Sequence, residues 1–297
     1  MLERSIQDGF LDLFYHDMKD QVLDNKNSLN LFVLKLKNNA FAYDELIEEL
    51  GNSLCHFALS RKSVRRLVEE QKYKSLVDTA KERLRNHNVN EGELGEILLF
   101  CILESFLNAP KILTKLELKT SNNDYVKGAD GVHLLKIDDK NYQLIFGESK
   151  LESNIRSGIY SAFSSINTFL TQKGKSKYEI ELLNSQLAKE TFDENGYEVL
   201  RKIIIPSAKD EETYLDYSFG IFLGFNIDID EEEKKKDFSE FRTIIREKIK
   251  NHVSENLASI NTQLKKGEFT GYKFYIYVIP FSDLQNTRKE IIKQITS

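Results

Sequence analysis

At 297 residues, with 40% hydrophobic and 30% charged residues, the chain can bury a core as one large domain or two modest ones, and its composition is not that of a disordered protein. The formal net charge of −5 opposes non-specific nucleic-acid binding over the whole surface, so any phosphate contact must come from local clusters. Two cysteines exclude a disulfide framework, the five histidines lack zinc-ligand spacing, and no apolar run reaches the about 18 residues of a membrane helix.

The first twenty residues carry scattered charges and no uninterrupted apolar region, so they read as neither a signal peptide nor a targeting helix, and a cytoplasmic location is expected. Leu29–Lys37 alternates apolar and polar residues as a strand does. Tyr43–Ser60 carries a helical stripe of Leu46, Ile47, Leu50, Leu54, Phe57 and Ala58. A second helix is predicted over Ser63–Arg85, with Ser63 as its cap. It is rich in Arg65, Arg66, Lys72, Lys74, Lys81, Arg83 and Arg85, and Arg61 and Lys62 precede it. This basic segment, like Lys173, Lys175 and Lys177 further on, reads first as a solvated face and gains interest only beside a nuclease site. The polar run Asn86–Asn90 breaks the pattern and divides an amino-terminal α/β region, 1–88, from a second region, 89–297.

Glu91–Leu107 is a strongly apolar helix ending before Pro110. Ile112–Lys119 alternates as a strand, Ser121–Asp124 is a turn, and Asp130 opens an apolar strand. A turn at Asp138–Asn141 leads to the strand Tyr142–Phe146, which runs into Glu148-Ser149-Lys150. Helices are expected over Asn154–Gln172 and Glu179–Thr191, and Lys202–Pro206 as an extended piece. Tyr217–Ile227 is a buried strand, Glu231–Lys265 a long helix, Tyr272–Ile279 a strand, and Asp283 starts the last helix. The alternation of strands and helices predicts an α/β protein with a mixed central sheet flanked by helices.

The chemistry concentrates between Gly128 and Leu151. Successive strand residues face opposite ways, so Glu148 and Lys150 share a face, and a hairpin would bring Asp130 beside them. Two carboxylates and a lysine at one sheet end suit metal-dependent phosphodiester hydrolysis, with acidic oxygens for Mg²⁺ and a cation near the reacting phosphate. Taken singly, each has an ordinary explanation: Asp130 as a turn residue, Glu-x-Lys as an exposed edge pair. The preceding helix adds Glu96 and, three residues earlier on the same face, Glu93; in so apolar a helix a carboxylate lies at the rim or has a buried partner. Gly92 and Gly95 weaken that helix and suggest close approach of another backbone. His133, on the face opposite Asp130, reads as structural. Ser153 reads as the cap of the helix after Lys150, whose Arg156 could equally face phosphate.

Helix-borne Glu96, Asp130 at a strand start, Glu148-x-Lys150 on the next strand and a following amphipathic helix resemble the PD-(D/E)xK nuclease superfamily, with Ala129 standing where its motif has proline. More narrowly, GELGEILLFCIL, KGADGVHLL, FGESKLESNIRSGIYSAF and FYIYVIPFSDL resemble the HamA family of the Hachiman anti-phage defence system, from about Glu91 to Arg288. The resemblance implies a restriction-endonuclease-like core and a DNA nuclease dependent on Mg²⁺ or Mn²⁺, leaving 5′-phosphate and 3′-hydroxyl ends. Asp130, Glu148 and the Ser149 carbonyl would be metal ligands, Lys150 would steady the attacking water or the transition state, and Glu96 would hold a metal-bound water or a second ion. It further implies a superfamily 2 helicase partner of the HamB kind, which restrains the nuclease until aberrant DNA is sensed, and no membrane. A stand-alone restriction or repair nuclease and a non-catalytic binding subunit are the alternatives.

Overall fold

Strands that are buried on both faces need apolar residues without alternation, and the middle of this chain supplies them in Ser218–Phe225, SFGIFLGF, every residue of which is buried. The computed structural model describes residues 2–6, 8–85, 92–118, 128–171, 183, 185–205 and 213–297. Among them β1 (Phe14–Val22), β2 (Ser28–Leu34), β5 (Lys111–Thr114), β6 (Gly131–Lys136), β7 (Asn141–Glu152), β8 (Tyr214–Asn226) and β9 (Lys273–Phe281) form one mixed sheet in the order β1-β2-β9-β8-β7-β6-β5. The central strands β2, β9, β8 and β7 run parallel to one another, while β1 on one side and β6 and β5 on the other join antiparallel. The strands of the region 1–88 thus continue the same sheet as those of 89–297. A short ribbon, β3 (Leu36–Lys37) with β4 (Ala40–Phe41), lies apart.

Helices cover both faces. The helix α1 (Tyr43–Ala58) is followed by α2 (Arg61–Glu69), α3 (Tyr73–Arg85) and α4 (Glu93–Ser105). On one face α4 lies against β7 and β8 and is itself covered by α1 and the last helix, Leu284–Thr296. All thirteen residues of α4 are buried, as its lack of a polar stripe requires. On the other face α6 (Ile155–Thr171) packs on β7 and β8, and the long helix Phe238–Leu264 packs on α6. Along the chain β5, the short α5 (Lys115–Leu118), β6 and β7 lie between α4 and α6.

Several boundaries differ from those read in the sequence, each for a local reason. The basic helix divides because Gln71 turns into the left-handed region at φ 56°, and its first half is capped by Ser60, whose hydroxyl accepts the Ser63 N–H at 3.4 Å. The predicted strand Ile112–Lys119 stops at Thr114, where the Thr114 hydroxyl accepts the Glu117 N–H and the chain winds into α5. Lys202 is helical, within Glu194–Ile204, not extended. The helix from Glu231 is interrupted because Asp237 caps a new one, accepting from Ser239 and Glu240 N–H. Strand β1 escaped the sequence reading because an edge strand with the mixed exposure of FYHDMKDQV lacks a clean alternation. The polar boundary Asn86–Asn90, the turn Ser121–Asp124, the basic cluster Lys173–Lys177, Pro206 and the first residues of the helix Glu179–Thr191 lie outside the described residues.

Candidate active site

The hairpin of β6 and β7 sets the site. Gly131 stands opposite Gly147, and the Asp130 N–H donates to the Gly147 carbonyl at 2.9 Å, so Asp130 reaches the segment Glu148–Lys150 from across the ladder. Beyond that point β7 continues past the end of β6, and among the described residues β8 is the one strand paired with it there. The Asp130 carboxylate closes the gap. Its Oδ2 accepts from the Ser149 N–H at 2.8 Å and from the Ser149 hydroxyl at 2.9 Å. The carbonyl of a strand residue projects toward the same edge as its N–H, so the Ser149 carbonyl also faces this unpaired stretch.

Glu148 and Lys150 share a face, as alternation requires, and their charged ends meet at 2.7 Å. Glu148 is 14% exposed; burial, with the nearby Asp130 charge second, pushes its carboxyl up to about 7. Burial pulls the Lys150 ammonium down, but Glu148 and Asp130 outweigh it and the net shift is upward.

Helix α4 delivers its carboxylates from the other face of the sheet. Glu93 and Glu96 are both buried. The helix starts at Gly92, whose carbonyl accepts from the Gly95 and Glu96 N–H groups. Gly95 then permits the close approach, because a Cβ there would lie 3.1 Å from both Cβ and Oγ of Ser149. This contact places α4 directly over the Glu-x-Lys segment.

One residue of the cluster was not singled out from the sequence. Lys115, at the start of α5, has its Nζ 3.3 Å from Asp130 Oδ1 and 4.0 Å from Glu96 Oε1. Burial lowers the affinity of its ammonium for the proton, but Asp130 and Glu96, with Glu148 further off, more than reverse this and hold it charged. The link between Glu96 and Asp130 therefore runs through Lys115. No sequence signal marked it, since Lys115 reads as one of the polar residues of the predicted strand Ile112–Lys119.

The donor set of the cluster suits a divalent cation. Asp130, Glu148 and the Ser149 carbonyl are hard oxygen donors of the kind Mg²⁺ takes, and the upward shift of Glu148 marks two carboxylates held near one another in a partly desolvated site. Among the described residues no three His, Cys, Asp or Glu side chains gather tightly enough to hold a metal by themselves. A cation would therefore be held by two carboxylates and the backbone with water filling the rest, which suits Mg²⁺ because it dehydrates reluctantly.

The remaining candidates take structural places. His133 is buried, and its Nδ1–H donates to the Ala109 carbonyl at 2.8 Å. Asn154, not Ser153, starts the helix after β7, accepting the Arg156 N–H at 2.8 Å. Arg61, read as part of a basic surface, is instead buried in an ion-pair network. It reaches Glu190 at 2.8 Å and Glu104 at 3.2 Å, and Lys111 pairs with Glu117 alongside. Isolated charges are too costly to bury, so this network is fully partnered. It ties α2, α4, β5 and α5 together.

None of the helices among the described residues is long and apolar enough to cross a membrane. No curated protein matches the chain. A model of the HamA family, however, matches residues 8–295, which extends the likeness through β1, β2 and the amino-terminal helices that carried no recognisable motif. The chain belongs to the HamA family and is thereby a component of Hachiman antiviral defence.

Proposed function

We propose that this protein is a metal-dependent DNA nuclease, with Asp130, Glu148 and Lys150 at its catalytic centre, and that it is the effector of its defence system alongside a HamB-like superfamily 2 helicase. The observation that carries the reading is the convergence of Asp130, Glu148 and Lys150 at the unpaired end of β7, with Glu96 reaching the same cluster through Lys115. Family membership supports the defence setting.

In this reading Asp130 Oδ1, a Glu148 carboxylate oxygen and the Ser149 carbonyl hold Mg²⁺ or Mn²⁺. When bound, the ion supplies charge neutralisation at the scissile phosphate and a water of lowered pKa. Glu148 must be ionised to serve, so the near-neutral position of its carboxyl makes it responsive to an arriving cation. Lys150 Nζ, freed from Glu148, donates to a non-bridging phosphate oxygen or steadies the attacking water, where fixed positive charge lowers the barrier. Glu96 accepts from water at the helix side of the cluster. The outcome is hydrolysis of one P–O bond, with water adding to phosphorus and the 3′-oxygen leaving protonated.

The test is cleavage of plasmid and linear DNA with Mg²⁺, with and without the helicase, comparing wild type with Glu148→Gln and Lys150→Met. Loss of cleavage in both variants is expected. Equal cleavage by all forms would overturn the site, and no cleavage by any form even with the helicase would favour a binding subunit with a nuclease-like fold.

A further inference from the structure

The two oxygens of Asp130 are engaged differently. Oδ2 is taken by the Ser149 N–H and hydroxyl, which leaves Oδ1 toward the cluster, and the Lys115 ammonium stands 3.3 Å from it. The same ammonium is 4.0 Å from Glu96 Oε1. A cation bound by Asp130 through Oδ1 would come to the place this ammonium holds. We infer that Lys115 is a resident counter-ion of the acidic cluster, which a divalent cation must displace from Asp130 before the site is loaded. This rests on the reading of the cluster as a cation site given above.

The backbone of Lys115 is not free to withdraw. Its N–H donates to the Asp130 carbonyl at 3.0 Å. On one side the Thr114 hydroxyl donates to the Phe57 carbonyl, and Lys111 and Glu117 are buried and paired with each other. Displacement is therefore a movement of the side chain, which is 19% exposed. The charges explain what the exchange would accomplish. Among the described residues and with Glu148 ionised, the ammonium groups of Lys115 and Lys150 are each held against a carboxylate, Asp130 and Glu148, so the unloaded pairs offer a phosphate little attraction. A divalent cation adds two positive charges there and at the same time frees Lys115 to meet the phosphate. The exchange thus favours DNA in a loaded site over an unloaded one.

A purely structural ion pair predicts the opposite response to mutation, since breaking it would loosen Asp130 and weaken cation binding. Mn²⁺ alone is the probe, titrated into the full-length protein and followed by electron paramagnetic resonance of the free ion and by calorimetry. Lys115→Met and Lys115→Gln are expected to bind Mn²⁺ about tenfold more tightly than wild type, as removal of a competing unit charge at this range allows. Lys115→Arg should stay near wild type, and Asp130→Asn should abolish binding in either background. Unchanged or weaker binding by both neutral variants, while wild type binds, would overturn the inference. So would failure of both to fold, judged by circular dichroism, because Lys115 would then be structural. No Mn²⁺ binding by wild type or any variant would overturn the cation site itself, a result distinct from the other two.

Discussion

Asp130 Oδ2 accepts hydrogen bonds from both the backbone N–H and the side-chain hydroxyl of Ser149, at 2.8 and 2.9 Å. The β6–β7 ladder would otherwise end at Gly131 and Gly147, and this paired contact carries it one residue further through a side chain. It fixes the rotamer of Asp130 and orients Oδ1 toward Lys115. Removing the hydroxyl in Ser149→Ala leaves the backbone bond in place, and the expected cost is about 1–2 kcal/mol of stability. Urea unfolding reads that cost. In the cleavage assay the same variant should lose severalfold in rate while Glu148→Gln loses nearly all, and a Ser149→Ala protein identical to wild type in both would show that the contact positions nothing.

Close packing of α4 on β7 gives a second outcome. A valine at Gly95 has no room, since even its Cβ would sit 3.1 Å from the Ser149 side chain. Gly95→Val should destabilise the protein by about 1–3 kcal/mol through overpacking and should lower DNA cleavage by displacing the Glu-x-Lys segment. Thermal melting and a cleavage assay at a temperature where the variant is still folded separate the two effects.

The buried network around Arg61 predicts a larger loss. Arg61 is 9% exposed, and its partners Glu104 and Glu190 are 0% and 1% exposed. Arg61→Ala leaves two carboxylates without their guanidinium, and such truncation of a buried pair costs about 3–5 kcal/mol. Denaturant midpoints should drop accordingly, whereas Arg66→Ala on the exposed face of α2 should change little.

Acid stability should carry the mark of His133. Burial, the leading cause, pushes its imidazole down to about 4, well below the value of an unfolded histidine. The unfolded chain therefore binds more protons between about pH 6.5 and pH 4. Stability from this group is fully present above pH 6.5 and is lost as pH falls toward 4, by up to about 3 kcal/mol. Unfolding free energies measured from pH 7 to pH 4 should fall less steeply in His133→Gln than in wild type, and parallel curves would assign the acid limb to other groups.

Much of the sheet was legible because its signals are local. The apolar run Tyr217–Ile227 suited a buried strand, and thirteen consecutive buried residues in α4 follow from an apolar composition without a polar stripe. The alternation that puts Glu148 and Lys150 on one face is likewise a property of any strand. At two places where the reading failed, a side chain redirected the backbone over one or two residues: the Thr114 hydroxyl ended β5 early and Asp237 opened a new helix. Such capping bonds compete with periodic patterns and leave little trace in them.

The α/β class, the strands β6 to β9 with the helices α4 and α6, and the grouping of Asp130, Glu148 and Lys150 near one hairpin could be read from the amino acids alone. Hydrophobic period and strand alternation suffice for those, since both act over a few neighbouring residues. That β1 and β2 complete the same sheet, that Arg61 is a counter-ion inside the fold and not a surface charge, and that Lys115 stands between Glu96 and Asp130 emerge from the folded chain alone. Each of these depends on which distant charge or strand edge a residue meets, and a pairing across the fold has no period to betray it.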